Sequence, residues 1–552
     1  MLFPVVNSDG PSSSGSPSVG RSSVVLGSGT VVSRILGFAK TIILAQTLGV
    51  VGSAGADSFA VANQLPSSIY VIIAGGVLTA TLVPAIVKSA LHKDGGIAYI
   101  NKLMTIAIVV MLAVTLAATL AAPSLVALFA GSWSTEQLAL ASAFAYWCLP
   151  QIFFYGLYTV LGEVLNARGS FGPFTWAPVL NNVVALVGVI AFMVLFGVDS
   201  GGERAVNDWT PMMVNLLAGS ATLGVAAQAV ILIFFWRRLG LGYRPDFKWK
   251  GVGLRETGRV AGWTFGIVLV TQLGGIIETN VVALATGVGA SVFAFATAWL
   301  LFMLPHSIIA VSMGTVYFTR MSEHVAKQRV SNLEADTSEA LRNIGLLIVW
   351  AASGLVCVAY PLSTLFAGHG FFAVASLGTL VQILVIGLPA FSALYVIFRV
   401  FLALGQARVL FNLTLLQVGL FCGLAVASSF LPLSLITQGV AASLIVSILI
   451  QATVAYALLK RRLGGLDMRH LRRTAFRSYL AGGIATITGL VAGAVLGAYS
   501  EDGFALASVF GALVAMVCIG LVVTVVYALV LGLFRTPELA VVVRQVRGRI
   551  GR

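Results

Sequence analysis

Long apolar segments follow one another along almost the whole chain, and they restrict it to a fold that spans a membrane. The 552 residues are 59% hydrophobic and only 9% charged, whereas about 25% of the residues of a soluble domain are charged. Fourteen apolar segments are about 20 residues or longer, the length that an α-helix needs to cross a bilayer. The sequence therefore predicts an all-α polytopic membrane protein with about 14 transmembrane helices. The predicted spans lie near residues 24–48, 57–88, 101–129, 138–166, 174–197, 212–236, 260–285, 290–318, 343–366, 376–404, 410–430, 436–459, 474–498 and 506–533.

Positive charge is concentrated in every second loop. Seven Lys and Arg residues follow span 6, and seven more follow span 12. Of the 33 Lys and Arg residues, only Arg204 is predicted to lie in an outer loop, and three, Arg34, Lys40 and Arg399, lie more than three residues inside a span. Because Lys and Arg mark cytoplasmic loops, we expect both termini in the cytoplasm. The net charge of +14 then serves orientation and attraction to anionic membrane lipids, and nucleic-acid binding is not expected.

The N-terminal residues and the cysteines place few further constraints on the fold. The first 22 residues are rich in Ser, Gly and Pro, which predicts a disordered tail. They lack the cationic start, apolar core and cleavage site of a signal peptide. The four cysteines all fall inside apolar segments, so no disulfide framework is expected.

Two Leu-Pro pairs recur at one spacing and indicate an internal repeat. Pro66 of span 2 matches Pro305 of span 8, and Pro150 of span 4 matches Pro389 of span 10, in each case 239 residues apart. The offset covers six spans, an even number, so the two halves are expected to share one orientation, as in transporters with two lobes. Such prolines interrupt backbone hydrogen bonding, and they either shape a central cavity, act as hinges or form static kinks. The predicted organisation is a disordered cytoplasmic tail at 1–22, an N-lobe of six helices (spans 1–6) at 23–238, a basic cytoplasmic linker at 239–259, a C-lobe of six helices (spans 7–12) at 260–462, spans 13 and 14 at 463–535, and a basic cytoplasmic tail at 536–552.

Two cations lie inside the first apolar segment, in the run SRILGFAK at 33–40. A cation at the centre of a bilayer costs from about 2.5 to more than 10 kcal/mol, so the pair predicts water, an acid or an anionic ligand at that depth. Arg34 lies mid-span, where its planar guanidinium suits a phosphate; the alternative is a structural ion pair or a contact with backbone carbonyls. Lys40 lies nearer the outer end, where Asp57 begins span 2, so an outer latch between them is predicted. The alternative for Lys40 is snorkelling to the outer headgroups.

Two more ionisable residues lie inside predicted spans. Glu278 in span 7 either binds a coupling ion or proton, pairs with Arg34 or Arg399, or lies nearer a surface than the span boundaries imply. Arg399, near the inner end of span 10, either snorkels or contributes an inner cavity charge.

Uncharged polar residues also accompany the span 2 proline. Asn63 and Gln64 adjoin Pro66, where an irregular turn of the helix can face a cavity. Enzyme motifs are scarce, since the sequence has no histidine cluster, no P-loop, and no loop large enough for paired acids or a nucleotide domain. No catalytic residue and no metal site are therefore predicted, and an ATP-driven pump is disfavoured.

The same residues resemble the signatures of a known family. The run at 33–40 resembles the first helix of the MurJ/MviN lipid II flippases of bacterial cell-wall synthesis, with Lys40 where Arg is usual. Gly55 to Phe59 followed by Leu65-Pro66 resembles the second helix, and 171–182 resembles the connection of spans 4 and 5. Fourteen spans match the family count. The family belongs to the superfamily of multidrug, oligosaccharidyl-lipid and polysaccharide exporters.

The resemblance implies a transporter and not an enzyme. A flippase of this kind moves lipid II, the undecaprenyl-diphosphate-linked peptidoglycan precursor, from the cytoplasmic to the outer leaflet of the bacterial plasma membrane by alternating access. The resemblance also implies a cationic cavity for the headgroup and an apolar groove of spans 13 and 14 for the polyprenyl tail. No cofactor is implied, and transport would depend on the membrane potential or a coupling ion. The expected partners are lipid II, membrane lipids and other proteins of wall synthesis.

Reasoning from the residues and from the resemblance together yields one set of candidate site residues. They are Ser33, Arg34, Lys40, Asn63 and Gln64 for substrate binding, Lys40, Asp57, Pro66 and Pro305 for the gate, Glu278 for ion or proton coupling, and Arg399 as an inner cavity charge.

The sequence departs from the family pattern near both proline-bearing helices. Many members carry basic residues shortly after the span 2 Leu-Pro, where this chain has Tyr70 and Val71, and an acid near the position of Gly75. Many also carry an Arg and a Glu before the span 8 proline, where this chain has Leu300 and Met303. We therefore expect a divergent, actinobacterial member in which Arg34 carries more of the anion binding. The alternatives are an exporter of another polyprenyl-linked glycan, a drug or cation antiporter of the same fold, and a non-transporting scaffold of wall synthesis.

Overall fold

The computed structural model describes residues 18–74, 97–247, 258–368, 370–464 and 468–538. These residues form α-helices joined by short turns, with no strand among them. Twelve helical segments of the described residues are long and apolar enough to cross a membrane, and Thr135–Ala167 and Val292–Ala326 among them each contain two helices. Two further helices joined at a 43° bend count as a thirteenth span. The remaining predicted span, 57–88, starts with the helix Ala54–Ile73 and continues outside the described residues from 75. The prediction of an all-α polytopic membrane protein is confirmed.

Contacts divide the chain into two compact units, of which the first comprises Met1–Gly49 and Ser53–Ala283. Within it, α8 (Pro211–Arg238) packs against α5 (Thr135–Cys148), α6 (Gln151–Ala167) and α7 (Phe171–Phe196). The first helix, α1 (Ser18–Leu48), also packs against α7. The helix α9 is the seventh predicted span and belongs to the C-lobe by the sequence repeat, yet it contacts α2 and α4 and lies in the first unit. The repeat records sequence similarity, whereas the contacts record where the helix packs. The helices of this unit are α1 (Ser18–Leu48), α2 (Ala54–Ile73), α3 (Ile97–Leu120), α4 (Ala122–Ala130), α5 (Thr135–Cys148), α6 (Gln151–Ala167), α7 (Phe171–Phe196), α8 (Pro211–Arg238) and α9 (Gly258–Ala283).

The second unit comprises Val50–Gly52 and Leu284–Arg552. Its longest helix, α12 (Val330–Ala367), has 38 residues. It contacts α11 (Ser312–Ala326), α13 (Phe371–Ile386), α14 (Leu388–Ala403), α17 (Met468–Val495) and α19 (Val509–Leu533). Spans 13 and 14, which are α17 and α19, pack against each other and against α12. A Cβ on Gly489 of α17 would lie 2.6 Å from the Cys357 sulfur of α12, so glycine permits this close approach. The helices of this unit are α10 (Val292–Pro305), α11 (Ser312–Ala326), α12 (Val330–Ala367), α13 (Phe371–Ile386), α14 (Leu388–Ala403), α15 (Ala407–Ser428), α16 (Ile436–Leu463), α17 (Met468–Val495), α18 (Phe504–Ala507) and α19 (Val509–Leu533).

A few residues of each predicted tail belong to the helical structure. The helix α1 starts at Ser18, so residues 18–22 of the predicted disordered tail are helical, because a helix propagates readily once its apolar part has formed. At the other end, Glu538 is only 8% exposed. Its Oε1 lies 3.2 Å from Arg342 Nε and accepts a 3.1 Å hydrogen bond from Thr474 Oγ1. The first residues of the predicted C-terminal tail are therefore held against α12 and α17.

The four repeat prolines lie at corresponding places in the two units. Pro150 separates α5 from α6, and Pro389 lies in the first turn of α14, after the 43° bend from α13. Pro305 ends α10 and precedes a π-helical turn at His306–Val311. Pro66 is buried inside α2. Because proline has no N–H to donate, Pro66 and Pro305 each remove one helical hydrogen bond, whereas Pro150 and Pro389 lie at helix starts, where the N–H has no helical acceptor. Three of the four prolines coincide with a break.

Candidate substrate-binding site

The first span places Ser33 and Arg34 in different surroundings. Asn182 of α7 donates its Nδ2 to the Ser33 carbonyl at 2.9 Å and to Ser33 Oγ at 3.2 Å. Asn182 also faces Gly37, where an added Cβ would meet it at 3.6 Å. These contacts fix α1 against α7, so the Ser33 hydroxyl serves this helix contact. The side chain of Arg34 is exposed, which is the placement that a ligand-binding cation needs.

The predicted latch between Lys40 and Asp57 is not formed in this structure. Lys40 is half-buried, and among the described residues no ion pair joins it to Asp57. Asp57 is only 2% exposed and lies in the first turn of α2, where the helix dipole favours an acid. Ser53 caps the same turn by accepting a 3.2 Å hydrogen bond from the Ala56 N–H. Asp57 is thus built into the start of α2.

The loop between α7 and α8 covers this start of α2. Trp209 of the loop packs so closely on Gly55 that a Cβ there would lie 2.4 Å from the indole. Its ring also lies 5.3 Å from that of Phe144. Arg204 stacks on Trp209 at 5.5 Å and donates to the Phe196 carbonyl at 3.0 Å. The one cation predicted for the outer loops therefore has a structural role in the loop.

A chain of uncharged polar groups crosses the first unit at the break before α6. Gln151, only 1% exposed, donates its Nε2 to Asn63 Oδ1 of α2 at 3.2 Å and to Thr222 Oγ1 of α8 at 3.0 Å. Thr222 in turn donates to the Trp147 carbonyl at 2.7 Å. Tyr155 donates to Gln151 Oε1 at 3.2 Å. The sequence reasoning identified Asn63 and missed Thr222 and Tyr155, although Gln151 and Tyr155 share one helix face at the i, i+4 spacing.

The remaining part of α2 is held by polar contacts near the proline. Gln64 is half-buried, and its carbonyl accepts a 3.0 Å hydrogen bond from Ser67 Oγ. One turn on, Gln272 of α9 donates to the Ser68 carbonyl at 3.1 Å. Tyr70 bonds Thr159 of α6 through their hydroxyls. The contacts of Ser68 and Tyr70 tie the part of α2 after Pro66 to α9 and α6.

Glu278 lies on α9 without the predicted arginine partner. Its side chain is half-buried, and among the described residues no ion pair joins it to Arg34 or Arg399. Its neighbour Asn280 donates to the Leu128 carbonyl and accepts from the Gly131 N–H at 3.3 Å. Trp133 donates its indole N–H to the Ala283 carbonyl at 3.1 Å. The end of α9 is therefore fastened to the turn after α4, next to Glu278.

Arg399 in the second unit is enclosed by aromatic side chains. It is 8% exposed, donates to the Tyr395 hydroxyl at 2.8 Å, and lies 4.9 Å from the ring centroids of both Tyr395 and Phe318. Two turns before Arg399 on α14, Ser392 bonds His306 at 3.0 Å. This arrangement is a buried cation–π contact, and the role of Arg399 as an inner cavity charge stays a prediction.

Comparison with known proteins decides the family. A family model described as "Lipid II flippase MurJ" matches residues 44–515 of this chain. The chain belongs to that family. A Haemophilus influenzae protein named as a probable lipid II flippase MurJ is 25% identical over 374 residues, which cover 62% of this chain and 67% of that protein. A Thermotoga maritima protein of the same name is 26% identical over 391 residues, which cover 70% and 75%.

Solved structures of the MurJ family and of a related family share the fold. One described as "Lipid II flippase MurJ, inward closed conformation" matches with a TM-score of 0.70 at 17% identity, over 93% of this chain and 98% of that one. An inward-facing multidrug resistance MATE family transporter of the MOP superfamily matches with a TM-score of 0.62 at 17% identity, over 80% and 98%. The MurJ resemblance is confirmed, and the protein is a multi-pass membrane transporter.

Proposed function

We infer that this MurJ-family protein is a flippase that moves lipid II from the cytoplasmic to the outer leaflet by alternating access. The match of the family model to residues 44–515 is the observation that carries this conclusion. Relatives that match this chain over two thirds or more of their own length are named for the same activity. The other substrates and the scaffold role predicted from the sequence have no comparable support.

The exposed Arg34 is the proposed ligand of the diphosphate. It stands in an apolar span, where an arginine without an anion or water is costly, and its two-pronged donor matches a phosphate. Lys40 and Gln64 are proposed to add to the same site, and Ser33 to position α1. Asp57, Pro66 and Pro305 are proposed to act in the gate, with the latch between Lys40 and Asp57 formed in another state of the transport cycle.

Charge movement through the membrane is the proposed energy source. Moving one elementary charge through 100 mV corresponds to about 2.3 kcal/mol, so the membrane potential can drive a cycle in which the charged cavity and substrate reorient. Glu278 is proposed to bind a proton or cation that couples to the same cycle. We propose that both termini face the cytoplasm and that other proteins of wall synthesis associate with the transporter.

Replacing Arg34 tests the proposed function. We expect Arg34→Ala to abolish lipid II flipping in proteoliposomes and to let lipid II accumulate on the cytoplasmic side of cells that depend on the variant. Arg34→Lys, which keeps the charge and loses the paired donors, should retain partial activity. Normal outward lipid II after depletion of the wild-type protein would contradict the function itself.

A further inference from the structure

The chain of hydrogen bonds around Gln151 has a single allowed direction. The Trp147 carbonyl can only accept a hydrogen bond, so the Thr222 hydroxyl, 2.7 Å away, must donate its one hydrogen to that carbonyl. Thr222 Oγ1 then acts as an acceptor toward Gln151, whose amide lies 3.0 Å away. Because only the NH2 end of an amide can donate, the Gln151 nitrogen must face Thr222.

This direction carries over to Asn63. The second hydrogen of Gln151 Nε2 points to Asn63 at 3.2 Å, and the Gln151 oxygen is occupied by the Tyr155 hydroxyl. Two NH2 groups cannot hydrogen-bond each other, so Asn63 must turn its Oδ1 toward Gln151. The Asn63 NH2 group therefore points away from the chain of hydrogen bonds. Its orientation is set by the Trp147 carbonyl, to which it is linked through three successive hydrogen bonds.

The outward NH2 group lies on an exposed face of α2. Asn63, Ser67 and Val71 follow one another at four-residue spacing on one helix face, and all three are exposed, whereas Gln151 behind them is buried. A polar amide in an apolar span is costly when it faces lipid. A fixed pair of N–H donors at this depth is instead suited to water or to the oxygen atoms of a ligand.

We propose that Asn63 is a preoriented donor for the neutral sugar part of the lipid-linked headgroup, through a hydroxyl or an acetamido carbonyl oxygen. Gln151 and Thr222 are positioning residues that hold Asn63 in the donor orientation. The proposal rests on the flippase function inferred above and names the part of the substrate that this site recognises. A sugar fits better than the diphosphate because no member of the chain from Trp147 to Asn63 carries a charge, and diphosphate recognition favours cations.

Binding to two lipids that share the undecaprenyl diphosphate, and of which only one carries the headgroup beyond it, tests this assignment. The full-length protein in lipid nanodiscs would be titrated with lipid II and with undecaprenyl diphosphate, which lacks the sugars and the peptide. We expect Asn63→Ala and Thr222→Val to weaken lipid II binding about tenfold, the equivalent of one lost hydrogen bond, and to leave undecaprenyl diphosphate binding unchanged. Arg34→Ala should weaken the binding of both lipids.

Two conservative variants separate orientation from packing. Thr222→Ser keeps the hydroxyl and should restore wild-type lipid II affinity. Asn63→Asp keeps the acceptor facing Gln151 and removes the outward donor, so it should lose at least as much lipid II affinity as Asn63→Ala. Melting temperatures would be measured for each variant. If Thr222→Val folds poorly, the Asn63 variants still test the proposal, because Asn63 is exposed and its replacement should not disturb folding.

Three outcomes would overturn the assignment. Equal weakening of both lipids by Asn63→Ala would show a role that does not involve the sugars. Unchanged lipid II binding by Asn63→Ala and Asn63→Asp would show that the donor is unused. Wild-type protein that binds lipid II no better than an anionic phospholipid would remove the flippase function, and the sugar site with it.

Discussion

The two units use the same proline-bearing helix pair for opposite purposes. In the first unit α2 meets α6 through the Asn63–Gln151 hydrogen bond of 3.2 Å. At the repeat offset of 239 residues, Asn63 corresponds to Phe302, which is completely buried and lies 5.3 Å from the ring of Phe391. The pair of α2 and α6 thus presents a polar group at its surface, whereas the pair of α10 and α14 buries aromatic rings between its helices.

Arginines placed in spans follow the same division. Arg34 in the first unit is exposed, whereas Arg399 in the second is enclosed by Tyr395 and Phe318. The Arg34 side chain lies at the protein surface, whereas the guanidinium of Arg399 is held between two rings and serves packing. Under the proposed function, Arg34 and Asn63 place the headgroup contacts in the first unit.

The largest effect on stability is expected in the aromatic core of the second unit. Phe302→Ala leaves a cavity beside Trp299 and Phe391 and should lower the free energy of unfolding by about 3–5 kcal/mol. Thermal or denaturant unfolding in detergent would measure it. The control is Phe372→Ala, at a position 60% exposed, which should change the unfolding free energy by about 0.5 kcal/mol or less. Equal losses at both positions would remove the structural role of the aromatic core.

The next effect separates the two arginines by a matched substitution. Arg399→Ala should lower the free energy of unfolding by about 2 kcal/mol, because it removes a buried cation–π contact, and should leave lipid II flipping per folded molecule nearly unchanged. Arg34→Ala should do the reverse, with normal stability and no flipping. Flipping assays and melting curves on the same two preparations would decide. Loss of flipping by folded Arg399→Ala protein would return Arg399 to the role of an inner cavity charge.

The smallest effect tests the attachment of α9 to the first unit. Trp133→Phe removes the 3.1 Å hydrogen bond to the Ala283 carbonyl and should cost about 1 kcal/mol. Hydrogen exchange should rise in the last turn of α9, since local opening follows local contacts. Trp147→Phe is the control, because its indole bonds Asn215 of α8 at 2.8 Å and should leave exchange in α9 unaltered. If exchange in α9 does not change in Trp133→Phe, this bond does not hold the helix end.

Part of the candidate site was predictable from the sequence because it depends on depth in the membrane. Arg34 in an apolar span is anomalous wherever its neighbours lie, and its exposure agrees with that reasoning. The partners of Arg399 and Glu278 were not predictable. Whether a charge in a span meets an acid, a ring or a ligand depends on which helix faces it, and apolar helices carry little sequence information about their neighbours.

The sequence by itself determined the helices and, at three of the four repeat prolines, the places where they break. Inside a membrane each backbone group must be satisfied within its own helix, so long apolar segments specify helices locally, and Pro150, Pro305 and Pro389 mark breaks because they lack an N–H. Only the tertiary structure decided that Asn63 meets Gln151 and Thr222, while its repeat counterpart meets aromatic rings. Side-chain hydrogen bonds join residues distant in the chain, so their partners and the direction of each donor arise from packing.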